Sequence, residues 1–154
     1  MRISMLIIAA ITAAAAFAAS ASAGNGPRTM TLSTPFDGGK GAQVDIGKRG
    51  FSAGDMFTVT GQPVSDDATG RRVGSLDAIE TVVSRRHDGT VSMVATLRLA
   101  DGTLHGGAII RHTDAPVRIP VTGGTRAYAG ASGQITVTED EARKLTIMRL
   151  ELDQ

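Results

Sequence analysis

The stretch that decides the fold runs Ile119-Pro120-Val121-Thr122-Gly123-Gly124-Thr125-Arg126-Ala127-Tyr128-Ala129-Gly130-Ala131-Ser132-Gly133. It begins as the end of one strand and finishes as the start of the next, with a single tyrosine between them. Glycine reaches backbone conformations that other residues avoid, so this density of glycine predicts a tight corner. The positions that we assign to this structural motif are Gly123, Gly124, Thr125, Gly130 and Gly133.

Apolar residues on the N-terminal side of this corner follow a strand pattern. They occupy every odd position from 91 to 99, which is typical of a strand with one buried face. Asp88-Gly89 and Asp101-Gly102 bracket this segment, and Asp-Gly is a strong signal for a tight turn. Residues 104–111 are therefore predicted to return as the antiparallel neighbour.

The same reasoning predicts the rest of the strands, which cover residues 29–33, 56–61, 72–84, 117–121, 134–138 and 144–152. The second of them should end at Gly61-Gln62-Pro63. In the last, the apolar positions change parity at Met148, which predicts a β-bulge. Residues 37–54 are glycine-rich and fit a loop with a short strand near 42–46. About eight short strands separated by turns predict an all-β sandwich or barrel.

The first 23 residues have the three parts of a cleaved signal peptide. Arg2 supplies the positive charge, residues 6–19 form an apolar run, and Ala21-Ser22-Ala23 is a small-residue cleavage site. The apolar run is shorter than the roughly 20 residues that span a bilayer, although a retained anchor is the alternative. We therefore expect a secreted or periplasmic protein that begins at Gly24.

The net charge limits which partners the protein can bind, and the cysteine content limits how it can be stabilised. Of the 16 basic and 15 acidic residues only Arg2 lies in the predicted signal, so the remaining chain has no net charge. A neutral chain argues against a nucleic acid partner and against electrostatic docking on a membrane after signal removal. Because the chain has no cysteine, its stability must come from burial and backbone pairing, without disulfides.

Four pieces of this sequence, in order and with the right spacing, resemble the allene oxide cyclase and dirigent barrels. Ahead of the glycine-rich corner they are Gly54-Asp55-Met56-Phe57-Thr58-Val59-Thr60, Gly70 with Val73-Gly74, and Leu99-Ala100-Asp101-Gly102 with His105-Gly106-Gly107. The resemblance covers roughly residues 54–152. It implies a single eight-stranded antiparallel β-barrel, often trimeric, whose cavity folds a reactive apolar small molecule and needs no metal or organic cofactor.

This resemblance also fixes the expected domain organisation and shows where the chain departs from the plant proteins. We expect an N-terminal arm over 24–53, with the first strand and a glycine-rich loop, followed by the barrel core over 54–154. Arg118 or Ile119 stands where dirigent proteins usually carry an acidic residue, so their acid–base set is not carried over. Glu80 stands where the plant cyclase has a cysteine.

Glu80 is the candidate catalytic residue because it interrupts an apolar strand segment. If it faces the barrel interior, burial would raise its pKa and make it a proton donor or acceptor. The alternative is a charge on the outer wall, exposed or paired with Arg98 on a neighbouring strand. Asp77 has the opposite parity, so it should not share a face with Glu80.

The remaining candidates are two ligand-binding residues and one structural residue. Tyr128, between small neighbours, is expected to lie over the barrel mouth or to plug its end, and Arg98 is the other ligand-binding candidate. Asp55 follows a glycine at a strand start and should close a turn over backbone N–H groups. His87, His105 and His112 lack the spacing of metal ligands, so no metal site is predicted.

Two functions remain open at this point. The first is a small-molecule cyclase, isomerase or dirigent-like protein that holds an apolar substrate in its lumen. The second is a non-catalytic module that binds an apolar ligand or assembles with itself. The resemblance implies a homotrimer as the expected assembly. The few aromatic residues favour the second, and a fold built around a cavity favours the first.

Overall fold

The computed structural model describes residues 28–47, 49–84, 89–111 and 113–153, so the predicted signal peptide lies outside the described residues. Nine strands account for most of this part of the chain: β1 Arg28–Pro35, β2 Lys40–Val44, β3 Met56–Asp66, β4 Arg72–Ser84, β5 Thr90–Leu99, β6 Gly102–Arg111, β7 Val117–Gly124, β8 Ser132–Asp140 and β9 Leu145–Asp153. A single 3-10 turn, Arg126–Tyr128, joins β7 to β8.

Eight of these strands form a closed antiparallel barrel. Neighbours follow the order β1-β9-β8-β7-β6-β5-β4-β3, and a short pairing between β1 and β3 closes the ring. The remaining strand, β2, is fully exposed and pairs with the first half of β3 outside the ring. The predicted barrel is confirmed, and β1, from the predicted N-terminal arm, is one of its eight strands.

Cross-strand register separates the inner wall from the outer wall. Paired residues share a face, and successive residues alternate between faces. Glu80 pairs with Met93, which pairs with Ala108, and this row faces inward because Met93 and Ala108 pack against the hydrophobic core. The row Asp77, Thr96 and His105 has the opposite parity and faces outward. The inner wall is therefore defined for every strand.

The hydrophobic core is most deeply buried at one end of the lumen. Its most deeply buried side chains come from strand ends that meet at the same end of the barrel: Val64, Leu97, Leu104, Leu150 and Leu152. We call this end the packed half. Toward the opposite end Val82, Val91 and Thr34 are buried, but several other inner-wall residues are half-buried: Phe57, Glu80, Met93, Ala108, Val117 and Val137. We call this second region the open half.

The glycine-rich corner seals the packed half. Tyr128, on the 3-10 turn, is only 2% exposed and belongs to the core. Gly123 adopts a φ of +149°, and a Cβ on Gly124 would lie 2.6 Å from the carbonyl oxygen of Tyr128. The corner therefore needs glycine at the first position for its backbone angle and at the second for the close approach of the tyrosine.

Two of the predicted strand details are wrong. β3 does not end at Gly61 but continues to Asp66 through a register shift, with Gly61 at a φ of +66° and its N–H bonded to the Asp77 carboxylate. β9 has no bulge at Met148, because its pairing with β1 and β8 is regular throughout. The apparent change of parity arises because Ile147 is an apolar residue on the outer wall.

Close packing at the corner makes a specific prediction about stability. Gly124→Ala should lower the free energy of unfolding by about 1–3 kcal/mol, because the added methyl group has no space and the backbone must move. Urea denaturation followed by circular dichroism measures this directly. Gly41→Ala is the matched control, since its Cβ would meet only one atom, at 3.6 Å. Equal stability of the two variants would show that the corner is not tightly packed.

Candidate functional site

Glu80 lies on the inner wall of the open half. It is the ninth residue of β4, and its cross-strand neighbours are Phe57 on β3 and Met93 on β5. Its side chain is half-buried, so part of it remains exposed to solvent. Among the residues singled out from the sequence, it is the one that the structure brings to the accessible part of the lumen.

A second carboxyl group, Glu139, shares the lumen and was missed by the sequence analysis. It lies on the inner wall of β8, and its register continues to Thr146 on β9 and then to Thr34 on β1. Both carboxyl oxygens of Glu139 are buried and have no hydrogen-bond partner, and the same is true of the Thr34 hydroxyl. Buried polar groups in folded proteins are almost always paired, so this cluster needs an explanation.

Burial changes the acidity of Glu139. Loss of hydration raises its pKa above the ordinary value of 4.5, and the nearby negative charge of Glu141 raises the pKa further. The neutral acid is therefore favoured more than it would be on an exposed glutamate. A neutral carboxyl group can donate one hydrogen bond as well as accept one.

The two carboxyl groups lie on opposite walls. β4 and β8 are four strands apart in either direction around the ring. Glu139 therefore lies across the lumen from β4, the strand that carries Glu80.

The barrel is wide enough for side chains from opposite walls to meet in its lumen. Eight strands about 4.8 Å apart, tilted by about 40°, make a ring roughly 16 Å across between backbones. On the described strands of the open half, no basic side chain faces this space.

Arg98 does not reach the lumen. It pairs in register with Ser75 and Thr103 on the outer wall, where its guanidinium contacts the Asp77 carboxylate at 2.6 Å. The backbone N–H of Gly61 and the Arg98 side chain both lower the pKa of Asp77. This ion pair is on the solvent-facing side of the barrel, so it contributes little to the free energy of unfolding. It links β5 to β4 on the outer wall, beside the bulge in β3.

Tyr128 and Asp55 have structural positions. Tyr128 plugs the packed half, with the Arg28 guanidinium 5.2 Å from its ring centroid, and is remote from the open half. Asp55 is fully buried and accepts hydrogen bonds from the backbone N–H groups of Ile46 and Ser52, at 2.8 and 2.6 Å. It therefore closes the loop between β2 and β3, as expected from its place after a glycine.

This loop forms one side of the rim of the open half. Its Phe51 ring lies 6.0 Å from Phe57 on the inner wall. Backbone hydrogen bonds tie Gly54 and Asp55 to Val82, which is buried at the end of β4. The rim beside Glu80 is therefore held in place by Asp55, although Asp55 does not face the lumen itself.

Features outside the lumen are poorer candidates for a ligand-binding site. An open depression of about 400 Å³ lies outside the packed half, lined by residues 127–132 and Asp153. Its walls are mostly backbone and small side chains, which provide little apolar surface for contact with an apolar ligand. Within the described ranges there is no cluster of three histidine, cysteine or acidic residues that could hold a metal ion. No helix in the same part of the chain is long and apolar enough to cross a membrane.

Comparison with known proteins yields structural matches only. No family profile and no curated protein sequence matches the chain. Among solved structures, a pyocyanin demethylase is similar over 81% of this chain and 99% of its own, with a TM-score of 0.69 and 28% identity.

Two further structures extend the comparison. A Diels-Alderase from Streptomyces koyangensis matches 86% of this chain and 70% of its own at a TM-score of 0.64 and 15% identity. A pterocarpan synthase dirigent protein matches 82% of this chain and 81% of its own at a TM-score of 0.57 and 18% identity. At this identity the likeness shows the fold, so the chain has the allene oxide cyclase and dirigent type of barrel.

The buried carboxyl group makes stability depend on pH. Because the folded state raises the pKa of Glu139, its stabilising effect is complete below pH 4.5, its ordinary pKa, and is lost as pH rises through the raised value. Glu139→Gln removes this loss. The melting temperature of the variant should therefore rise relative to the wild type between pH 5 and 8.

The matched control is Glu151→Gln, an exposed residue on the outer wall of β9 that pairs with Arg149. Its melting temperature should keep a constant offset from the wild type over the same pH range. Parallel pH profiles for wild type and Glu139→Gln would contradict a raised pKa.

Proposed function

We propose that this protein binds an apolar small molecule in the open half of its lumen and acts as a cofactor-free cyclase or isomerase, with Glu80 as a proton donor or acceptor. The observation that carries the proposal is an ionisable side chain that lies on the inner wall between the apolar residues Phe57 and Met93. Such a site supplies shape, orientation and a proton-transfer group, which are sufficient for an isomerisation or a ring closure.

The structural relatives support a small-molecule role. Their names describe a demethylase for pyocyanin, a Diels-Alderase and a dirigent protein of pterocarpan synthesis, all of which act on organic molecules. The demethylase contributes most, since this chain covers 99% of it at 28% identity. Its specific reaction is not assigned to this chain, because the identity of the substrate depends on side chains of the lumen.

The proposal includes export. The three-part pattern of residues 1–23 supports cleavage after Ala23, and a chain without cysteine is compatible with either side of the cell envelope. N-terminal sequencing of the protein recovered from outside the cytoplasm should begin at Gly24. Recovery of the intact N-terminus in the cytoplasmic fraction would contradict export.

A test of the lumen site uses two neighbouring residues that face opposite sides of β6. Ala108→Phe places a ring in the open half, whereas Ile109→Phe changes a residue that is 70% exposed on the outer wall. With acetylnaphthalene as a fluorescent apolar probe, the first variant should weaken binding at least tenfold and the second less than twofold. Equal binding by both variants would show that the probe binds outside the lumen and would contradict the proposal.

The alternative, a self-assembling module, is favoured by an apolar region of the outer wall. Ile79, Val94 and Ile109 on the adjacent strands β4, β5 and β6 are 46%, 60% and 70% exposed. Exposed apolar side chains in adjacent positions are typical of a protein interface. We include a homotrimer in the proposal, built on this region of each barrel.

Assembly is tested by Ile109→Glu. A charge in the buried centre of an interface should convert the trimer to a monomer, as measured by analytical ultracentrifugation. Thr122→Glu is the control, because Thr122 is exposed on the neighbouring strand β7. A monomeric wild type would exclude the homotrimer and leave the lumen site unaffected.

A further inference from the structure

We propose that the inner-wall row Glu139, Thr146 and Thr34 is a recognition site for a protonated amine on an otherwise apolar ligand. We call this row the amine site. This inference rests on the lumen of the proposed function as the place of binding, and it adds the chemical class of the ligand. The amine site binds and orients the ligand, and no proton transfer is assigned to it.

Cross-strand register places the amine site on the lumen side of the wall. Glu139 pairs with Thr146, and Thr146 pairs with Thr34. The preceding row of the same three strands belongs to the hydrophobic core or packs against it: Val137, Met148 and Leu32. Residues two apart on a strand share a face, so the amine site faces inward as well. Glu139 and Thr34 are next to last in β8 and β1, which puts the site near the rim of the open half.

Three hydrogen-bonding atoms of this site lack a partner. Both carboxyl oxygens of Glu139 and the hydroxyl of Thr34 are buried and make no hydrogen bond to the described part of the chain. Thr34 is only 2% exposed, so its hydroxyl is also shielded from bulk water. Unpaired buried polar groups destabilise a folded protein, whereas a ligand that pairs them recovers that loss on binding. The site therefore has the properties of a receptor for a hydrogen-bond donor.

A protonated amine matches these atoms in number and in charge. A primary ammonium group has three N–H donors, one for each of the three unpaired oxygens. A carboxylate that is removed from water also needs a positive charge close to it. No basic side chain lies on the described inner wall of the open half. The ligand therefore supplies the positive charge that the protein leaves out.

The basic residues in the neighbouring turn are paired elsewhere. Lys144 bonds Glu141 at 2.7 Å, and Arg143 bonds Asp140 at 2.6 Å, in both cases on the exposed surface. Burial raises the pKa of Glu139, and the negative charge of Glu141 raises it further, as expected for a carboxyl group without a cation beside it. An amine that enters through the lumen reaches Glu139 from the side on which no basic residue is described.

Access to the amine site requires one movement of a side chain. Glu139 is half-buried as a residue although its carboxyl oxygens are buried, so its exposed atoms lie outside the carboxyl group. Rotation about the side-chain bonds turns the carboxyl group toward the lumen. The half-buried pair Val137 and Val117, one row deeper, then contacts the hydrocarbon part of the ligand. The site therefore selects molecules with an amine at one end and an apolar body.

Three probes that share one ring system test the class of ligand. Aminomethylnaphthalene is an ammonium ion at pH 7, hydroxymethylnaphthalene is a neutral donor of the same shape, and ethylnaphthalene has no donor. In fluorescence titrations we expect the ammonium probe to bind wild-type protein about tenfold more tightly than either neutral probe. Equal affinity for all three would overturn the amine site and leave the proposed lumen site standing. Failure of all three to bind would contradict the proposed function instead.

Two variants with matched controls assign this preference to named residues. Glu139→Gln keeps the shape of the side chain and removes its charge, and Thr34→Val removes the hydroxyl. They should weaken binding of the ammonium probe about tenfold and about fivefold, with no change for ethylnaphthalene. Glu151→Gln and Thr31→Val alter outer-wall residues of β9 and β1 and should change neither affinity. Wild-type affinity of Glu139→Gln for the ammonium probe would overturn the amine site.

A second measurement needs no aromatic probe. The melting temperature is compared in butylammonium chloride and in potassium chloride at equal concentration, for wild type and for Glu139→Gln. Because a ligand of the folded state raises the melting temperature, butylammonium should stabilise the wild type more than potassium does, and this difference should vanish in the variant. Equal stabilisation by both salts would indicate a site for any monovalent cation, and no stabilisation by either would indicate that water alone pairs these atoms. Both results would overturn the amine site.

Discussion

The pairing of β1 with both β9 and β3 is the constraint on which the rest of the structure depends. It joins the two ends of the sheet, so that every barrel strand acquires an inner and an outer face. A closed sheet also has no free edge within the ring, and β2 covers part of β3 beyond the closing pair. The inward direction of Glu80 and Glu139 is a consequence of this closure.

Closure alone does not make a binding site, because a barrel of this size can be filled by its own side chains. Here the large aliphatic residues and Tyr128 lie in one half, where they supply most of the burial that stabilises the fold. The other half has several half-buried residues on its inner wall, with Val82 and Val91 buried near its rim. The burial that stabilises the fold is therefore concentrated at one end of the barrel. The opposite end has two inward-facing carboxyl groups, which would destabilise the protein if they were buried in a fully packed apolar core.

Much of the fold was predictable from periodicity. The alternation at 91–99, the turn at Asp101-Gly102 and the glycine-rich corner give the central hairpin and its connection correctly. The same alternation places Arg98 on the outer wall, since its apolar neighbours Leu97 and Leu99 have the opposite parity. The errors at Gly61 and Met148 have two different causes. A glycine with positive φ can continue a strand through a bulge, and an isoleucine on the outer wall gives an apolar pattern that looks like a bulge in sequence.

The second carboxyl group was harder to predict. Glu139 lies among Thr138, Asp140 and Glu141, which in sequence resemble an exposed turn. Its parity with Ile135 and Val137 was the available signal, but the burial of its oxygens depends on neighbouring strands. That β8 lies across the lumen from β4 depends on the number and order of the strands, which local sequence does not encode.

The central claim is that ligands bind inside the barrel, and methyl NMR with a bound naphthalene probe tests it most directly. Intermolecular contacts should reach the methyl groups of Met93, Val117 and Val137 on the inner wall and should be missing for Val94 and Ile109 on the outer wall. Contacts confined to the outer methyl groups, or to Ala127 and Ala129 beside the packed half, would contradict this account.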